Sequence, residues 1–323
     1  MIKGTKKHET ILITGGTGFA GSHLVEALLE KNYHKIHVTS FGKNTGYVQS
    51  LLKNGQIHQL DLSDQQAALE LMRKIKPDYI YHLAAFSVVG TSFEKIREIL
   101  NNNLNLQLNI LEAVETVVPK SKNLVIGSAL EYKTDTDSPK KLKETDPLGP
   151  ADPYAVSKVL QDMLSFYYAK VRKLRIVIAR PFNHIGERQA LGFVIPDFAR
   201  QIVRIEQGLE KVIKVGNLES IRDFTDVKDM VQAYILLMEK GKIGEIYNLG
   251  SSKGYSIKSM LDSLIALAQT RISIKIDQNK FRPLDVETVI ADNSKIVQLG
   301  WQAKINIKIT LSRVLDYWRK ELS

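Results

Sequence analysis

Three apolar residues, Ile11-Leu12-Ile13, run straight into Thr14-Gly15-Gly16-Thr17-Gly18-Phe19-Ala20-Gly21 and then into an amphipathic stretch reaching about Lys31. A short apolar run closed by glycine reads as a buried strand, and the stretch behind it has helical length. Glycines at 15, 18 and 21 permit a tight turn, close approach of backbone to a diphosphate, and tight helix–strand packing. The N-terminus of the helix then faces the negative charge. Three glycines alone also suit an ordinary strand–helix turn; their place after the first strand favours a dinucleotide loop. The first candidate cofactor contacts are therefore Gly15, Thr17, Gly18, Phe19 and Gly21.

The strand–helix unit then repeats. Residues 36–39, 57–60, 79–83, 124–126 and 175–179 read as strands, and 63–75, 94–116 and 154–172 as helices. Continuous apolar strands alternating with helices predict a parallel sheet covered on both faces, a doubly wound Rossmann α/β fold. After Arg180 the alternation loosens: 193–208, 226–238 and 309–322 look helical, Ser256 is placed to cap a helix to Ala268, and 245–248 looks like a strand. Residues 272–276 alternate with period two, as a half-buried strand should. The expected division is a dinucleotide-binding domain over 1–180, with 226–250 returning to it. A smaller, interleaved mixed α/β substrate domain takes 181–225 and 251–323.

Composition removes several classes. The 323 residues include no cysteine, which excludes thiol catalysis, zinc ribbons and iron–sulfur ligation, and no metal site is expected. At 44% hydrophobic the chain can build a core, and no apolar run approaches the 18 or so residues of a membrane span. The basic first seven residues lead into too short an apolar run for a signal peptide, so a cytoplasmic protein is expected. The net charge of +10 admits nucleic acid or a small anionic ligand. The lysines are scattered, and the densest group, Lys140-Lys141-Leu142-Lys143, lies between Pro139 and Pro147 and reads as a solvated loop. No nucleic-acid or membrane partner is expected.

Cofactor choice turns on the end of the second strand. An acidic residue about 20 positions after the glycines would bind a ribose 2′-hydroxyl, yet no Asp or Glu occurs from Lys31 to Leu60. Ser40 and Lys43 stand where a 2′-phosphate would lie, so NADP(H) is expected ahead of NAD(H). Further on, Tyr154 and Lys158 share a helix face at i and i+4. A nearby ammonium lowers a phenol's pKa from about 10, the expectation for Tyr154. The pair opens the helix after the strand expected to end at Ser128, whose hydroxyl could hold a reacting carbonyl oxygen.

The glycine loop, His82-Leu83-Ala84-Ala85, Ser128 four residues before Tyr132, and Tyr154/Lys158 resemble the extended short-chain dehydrogenases that act on nucleotide sugars. So does Arg180-Pro181-Phe182-Asn183, and the resemblance runs over nearly the whole chain. Three longer segments are similar to GDP-4-keto-6-deoxy-D-mannose reductases: Arg180 through Gly186, Pro196 through Ile202, and Val215 through Val227. Phe281-Arg282-Pro283 and Leu315 through Arg319 fit that branch and the GDP-mannose 4,6-dehydratases. The resemblance implies a hydride-transfer site of Ser128, Tyr154 and Lys158, with Asp61 and Leu62 at the adenine. It adds Leu83, Ala84, Ala85, Asn103 and Pro181 to the cofactor contacts. On the substrate side it implies Ser87, Ser128, Val194 and Asn183, with Arg222 and Arg282 clamping the diphosphate.

Departures from that pattern carry information too. Dehydratases of the superfamily place a Glu two residues before the tyrosine at 132; here Leu130 and Ala129 precede it, and Glu131 is displaced by one. On a strand that displacement turns Glu131 to the opposite face. Leu106-Gln107, Lys133 and Glu187 also depart, in loop geometry more than in chemistry. The expected activity is NADP(H)-dependent reduction of the C4 ketone of a GDP-linked 4-keto-6-deoxy sugar, forming GDP-D-rhamnose. An NAD-dependent nucleotide-sugar 4-epimerase is the alternative, and a 4,6-dehydratase or a non-catalytic RNA-binding relative stands further back. A homodimer is expected through a four-helix bundle, on Ile99, Leu104, Leu108, Leu111, Val159, Met163 and Phe166.

Overall fold

Ile11–Thr14 forms the first strand (β1), buried at every position, and Phe19–Glu30 the first helix (α1). The computed structural model describes residues 8–42, 45–53, 55–86, 95–134, 140–281 and 288–323. The chain continues through β2 (Ile36–Ser40), β3 (Ile57–Gln59), α2 (Gln65–Ile75), β4 (Tyr79–His82), α3 (Ile96–Val117), β5 (Lys122–Ile126), α4 (Pro153–Lys170) and β6 (Arg175–Pro181). Local chemistry starts two of these helices. The Asp64 side chain accepts from the Gln66 and Ala67 amides, and Asp152 accepts from Ala155 with Pro153 in the first turn.

Strand order in the main sheet is β3-β2-β1-β4-β5-β6, and β10 (Ile246–Leu249) closes it beside β6. All its pairings are parallel. Strand alternation assigns the two faces. Ile11 and Ile13 pack with α1 and α6 (Val227–Lys240), whereas Leu12 packs with α2 and α3. Full burial of one such side chain is worth about 1.5–3 kcal/mol, so each strand is held from both sides. The chain reverses sheet direction between β1 and β4, and the carboxyl ends of these two strands open the crevice where ligands of such sheets bind.

The less regular part comprises β7 (Asn183–Ile185), α5 (Val194–Glu206), β8 (Ile213–Val215), β9 (Ile221–Asp226), β11 (Gly254–Ser256), α7 (Ile257–Ile265), β12 (Ile274–Ile276), β13 (Thr288–Val289), α8 (Ser294–Val297) and α9 (Ile307–Glu321). β9 pairs with β7, β11 and β13, while α5, α7 and α9 share a second core. Ser256 caps α7, its hydroxyl accepting from the Ser259 amide at 3.0 Å. One expectation is corrected here: Ile274 and Ile276 are 46% and 59% exposed. β12 pairs with β8 alone in a two-stranded ribbon, so among the described residues no layer covers it.

α3 and α4 lie side by side along a polar seam. The Asn103 amide donates to Ser157 Oγ at 2.9 Å, and Gln107 donates to the Gln161 carbonyl at 2.7 Å and to Ser165 Oγ at 2.6 Å. Ile99 and Leu111, expected on an outward face, are buried within this chain, because they lie on the sides of α3 that meet its own neighbours. Leu104, Leu108 and Val159 are partly covered, and Met163 and Phe166 are exposed beside Leu160 and Tyr167. No helix among the described residues is long and apolar enough to cross a membrane.

Candidate active site

The glycine loop is built so that side chains would not fit. Gly15 has φ +66°, and a Cβ there would lie 3.0 Å from the Ala84 backbone. A Cβ on Gly21 would lie 2.4 Å from the Gly15 carbonyl oxygen, and the Gly18 amide donates to that oxygen at 3.0 Å. Gly18 caps α1 without a side-chain acceptor, and no acidic residue occupies the first turn. Its amides are therefore left to an external anion, which suits a dinucleotide diphosphate. Behind the loop, Thr14 Oγ1 takes the Ala84 amide at 3.2 Å and meets His82 Nδ1 at 2.8 Å. Burial, then the nearby Lys158, lowers His82 to about 3, so its ring is neutral and locks β1 to β4 at the crevice.

A cavity of about 1100 Å³ runs from this loop across the sheet to the smaller part of the chain. Of the residues expected at the cofactor, Gly15, Thr17, Gly18, Phe19, Gly21, Asp61, Leu62, Leu83, Ala84, Ala85 and Pro181 line it. Ser128, Tyr154 and Lys158 meet at its middle, and Asn183, Val194 and Arg222 line the far side. Its size and its glycine-only cradle fit a nicotinamide dinucleotide with room for a second nucleotide.

Some expected residues stand elsewhere. Asn103 is fully buried and off the cavity wall; its amide holds the Phe86 backbone, accepting from the nitrogen at 2.8 Å and donating to the oxygen. Ser40 is also off the wall, because strand alternation presents Thr39 instead, whose Oγ1 accepts from the Gly15 amide at 3.0 Å. Lys43, Ser87 and Arg282 lie outside the described residues.

Ser128 does not end a strand: β5 stops at Ile126, and Ser128 caps a 3₁₀ turn over Ala129–Glu131, its Oγ accepting from the Leu130 amide at 3.2 Å. Its hydroxyl hydrogen-bonds that of Tyr154. Lys158 is 4% exposed and donates to the Ile126 carbonyl at 2.8 Å, with its nitrogen 5.8 Å from the Tyr154 ring centre. The expected acidification of Tyr154 is overturned. Burial, then Glu131 and Asp152, pushes the phenol well above its usual value, and burial lowers Lys158 to about 8 against the opposing pull of Glu131 and Asp162. The phenol therefore keeps its proton near neutrality.

Glu131 is also placed differently from its expected strand position. The 3₁₀ turn points it inward, fully buried, 3.1 Å from Arg180 Nε, while Leu130 takes the cavity wall. Arg180 donates to Asp162 at 2.8 Å and lies 4.8 Å over the Tyr132 ring.

Sequence reasoning missed Phe41, 71% exposed on the wall and edge-on to Phe86 at 6.1 Å. It also missed Asn217, Ser220, Lys280 and Phe281 at the far end. The available signals were Phe281 beside the recognised Arg282 and Gly216, whose Cβ would lie 2.6 Å from the Lys280 carbonyl oxygen.

Residues 12–314 match the model of the family described as GDP-mannose 4,6 dehydratase. The chain is 29% identical to the GDP-6-deoxy-D-mannose reductase of Pseudomonas aeruginosa, over 97% of this chain and 98% of that one. It is 30% identical to GDP-mannose 4,6 dehydratase 1 of Arabidopsis thaliana, over 96% and 90%. Among solved structures it is similar to RMD from Pseudomonas aeruginosa complexed with NADPH, with TM-score 0.85, 30% identity and 97% and 100% coverage. It is also similar to the UDP-glucose 4-epimerase of Thermus thermophilus complexed with NAD, with TM-score 0.84, 25% identity and 96% and 99% coverage.

Proposed function

Because the chain belongs to the GDP-mannose 4,6-dehydratase family and is an NAD(P)-dependent nucleotide-sugar oxidoreductase of the extended short-chain dehydrogenase type, we propose that it reduces the C4 ketone of a GDP-linked 4-keto-6-deoxy sugar. The product would be GDP-D-rhamnose. The observation that carries this reading is the cavity wall at Leu130. A 4,6-elimination needs a carboxylate there to take a proton from sugar C5, and the wall is apolar while Glu131 is turned onto Arg180. Among the described residues the carboxylates that line the cavity serve elsewhere: Asp152 caps α4, Asp197 takes the Gly192 amide, and Asp61 takes the Ser63 amide.

When bound, a reduced nicotinamide supplies the hydride that a ketone carbon accepts. The chain's residues handle the oxygen. Tyr154, protonated near neutrality, gives its proton to the forming alkoxide, and Ser128 donates a hydrogen bond to the same atom. Lys158, half charged near pH 8, stabilises the resulting phenolate and holds the cofactor ribose. At the far end Arg222 would meet the sugar-nucleotide diphosphate, and the resemblance read from the sequence adds Arg282, which lies outside the described residues. NADP(H) is the proposed cofactor, since no carboxylate between 31 and 60 repels a 2′-phosphate; this agrees with the NADPH in the related Pseudomonas structure. The assembly proposed is a homodimer in which the outward faces of α3 and α4 form a four-helix bundle, burying Leu160, Met163, Phe166 and Tyr167.

The test is incubation with NADPH and GDP-, UDP- or dTDP-linked 4-keto-6-deoxy sugars, followed by product NMR. Stoichiometric NADPH consumption with a GDP-linked deoxyhexose product is expected. Interconversion of C4 epimers by protein that carries NAD from purification, with no added reductant, would replace this reading by an epimerase.

A further inference from the structure

Directly behind the proposed reaction centre lies a cluster that the mechanism above does not use. Glu131, Asp162 and Arg180 have side chains 0%, 2% and 3% exposed. Arg180 Nε bridges the carboxyl groups, 2.8 Å from Asp162 and 3.1 Å from Glu131. Among the described residues neither Glu131 Oε2, which lies 3.1 Å from Arg180 Nε, nor Asp162 Oδ1 accepts a hydrogen bond, and Arg180 Nη1 has no acceptor. Two ionised carboxylates on one guanidinium nitrogen would force like charges together in a buried site. Lys158 is close enough to feel both carboxyl groups, but its ammonium donates to the Ile126 carbonyl and gives neither of them a hydrogen bond. A single proton on the pair relieves that repulsion and supplies a donor that the carboxyl groups otherwise lack.

The other oxygen of Glu131 accepts from the Ser128 amide. Gly127 is tight against the pair: a Cβ there would lie 2.5 Å from Glu131 Oε1 and 2.9 Å from Asp162 Oδ1. The 3₁₀ turn that presents the Ser128 hydroxyl thus rests on this cluster at consecutive residues, 127 and 128. We propose that Glu131 is a positioning residue, which as a neutral carboxyl hydrogen-bonded to Asp162 holds the Ser128 amide and so aims the Ser128 hydroxyl at the reacting oxygen. Burial, then Asp162, pushes the Glu131 carboxyl well above the carboxylate range, with Arg180 opposing, in agreement with that state. Tyr154, Tyr132 and Lys158 are the remaining titratable groups around it. The proposal rests on the reductase reading for its activity assay, but the proton's location does not.

Glu131→Gln imitates the neutral acid, since the amide oxygen still accepts from Ser128 and the amide N–H donates to Asp162. Glu131→Ala removes both. Expected for Glu131→Gln is a kcat within about threefold of wild type. Glu131→Ala should lose about tenfold or more in kcat with KM nearly unchanged, part of the 10²–10³-fold that deleting an oxyanion donor costs. Circular dichroism and calorimetric NADPH binding identify any variant that merely misfolds. Infrared difference spectra of the protein without substrate should show a protonated-carboxyl stretch at neutral pH in wild type, lost in both Glu131→Gln and Asp162→Asn. A Glu131→Gln kcat that falls as far as that of Glu131→Ala overturns the proposal, as does an identical carboxyl stretch in wild type and Glu131→Gln. Absence of turnover on every ketone in wild type would instead sink the reductase reading, leaving the infrared result to decide the proton.

Discussion

Lys158→Met should disable the site and leave the fold equally stable or more so. Lys158 is 4% exposed, and burial holds its pKa at about 8 against an ordinary 10.5. A lysine whose folded pKa lies below its unfolded value binds fewer protons when folded, so stability rises with pH between the two values. Below pH 8 the whole penalty applies, and at 1.36 kcal/mol per tenfold it is about 3 kcal/mol. Methionine keeps much of the stem volume without the charge, so the penalty disappears. Against that gain, the Ile126 carbonyl loses its donor, a loss of about 1–3 kcal/mol if no water replaces it. At pH 7 the variant should therefore match wild type or exceed it by up to about 2 kcal/mol. From pH 7.5 to 9.5 the difference should move by about 2 kcal/mol in favour of wild type, as the buried amine sheds its proton. Urea unfolding of the two proteins across that range, followed by circular dichroism, measures this directly; taking the difference cancels the other titrating groups. Turnover and calorimetric cofactor binding of the same samples should both be damaged. Parallel stability curves from pH 7.5 to 9.5 would refute the argument, since they would mean that Lys158 titrates alike in folded and unfolded chains.

Tyr154→Phe keeps the ring and removes the proton donor, so kcat should fall about 10²–10⁴-fold with KM little changed; retention of more than about a tenth of wild-type turnover excludes it as the acid. NADPH should show a lower KM than NADH, with the preference reduced in Lys43→Ala, and steady-state kinetics in which unmodified protein uses NADH equally well would reject NADP(H). Leu130→Glu should not by itself make a dehydratase, because Ala129 and the rest of the wall stay unsuited; appearance of a 4-keto-6-deoxy product from GDP-mannose would contradict this. The double variant Met163→Asp/Phe166→Asp, at positions 53% and 48% exposed, should convert a dimer to monomers in sedimentation. Wild type that sediments only as monomer at micromolar concentration removes the dimer.

What the sequence made legible was whatever depends on spacing along one element. The apolar runs of β1, β4 and β5, the glycine loop and the cap at Ser256 could all be read, because strand burial, tight turns and capping are decided within a few residues. One register step was enough to mislead at β2, where Thr39 rather than Ser40 faces the cavity. Glu131 was harder still. Period-two alternation gives the wrong reason for its leaving the cavity, since the chain has already left β5 and entered a 3₁₀ turn. At β12 the alternation is present in the sequence but no layer lies over it among the described residues, so the pattern could not report burial.

Tyr154 and Lys158 carry this one step further. Their i,i+4 spacing is legible and puts them on one helix face, but the sign of their electrostatic effect is not contained in that spacing. The ammonium is drawn 32 residues back along the chain to the Ile126 carbonyl, while burial, with Asp152 at the start of α4 adding to it, raises the phenol. Desolvation dominates both shifts, and it sums over every element that closes the cavity floor. A phenol held protonated beside a lysine near pH 8 is poised to donate rather than to abstract, which is the polarity that ketone reduction requires.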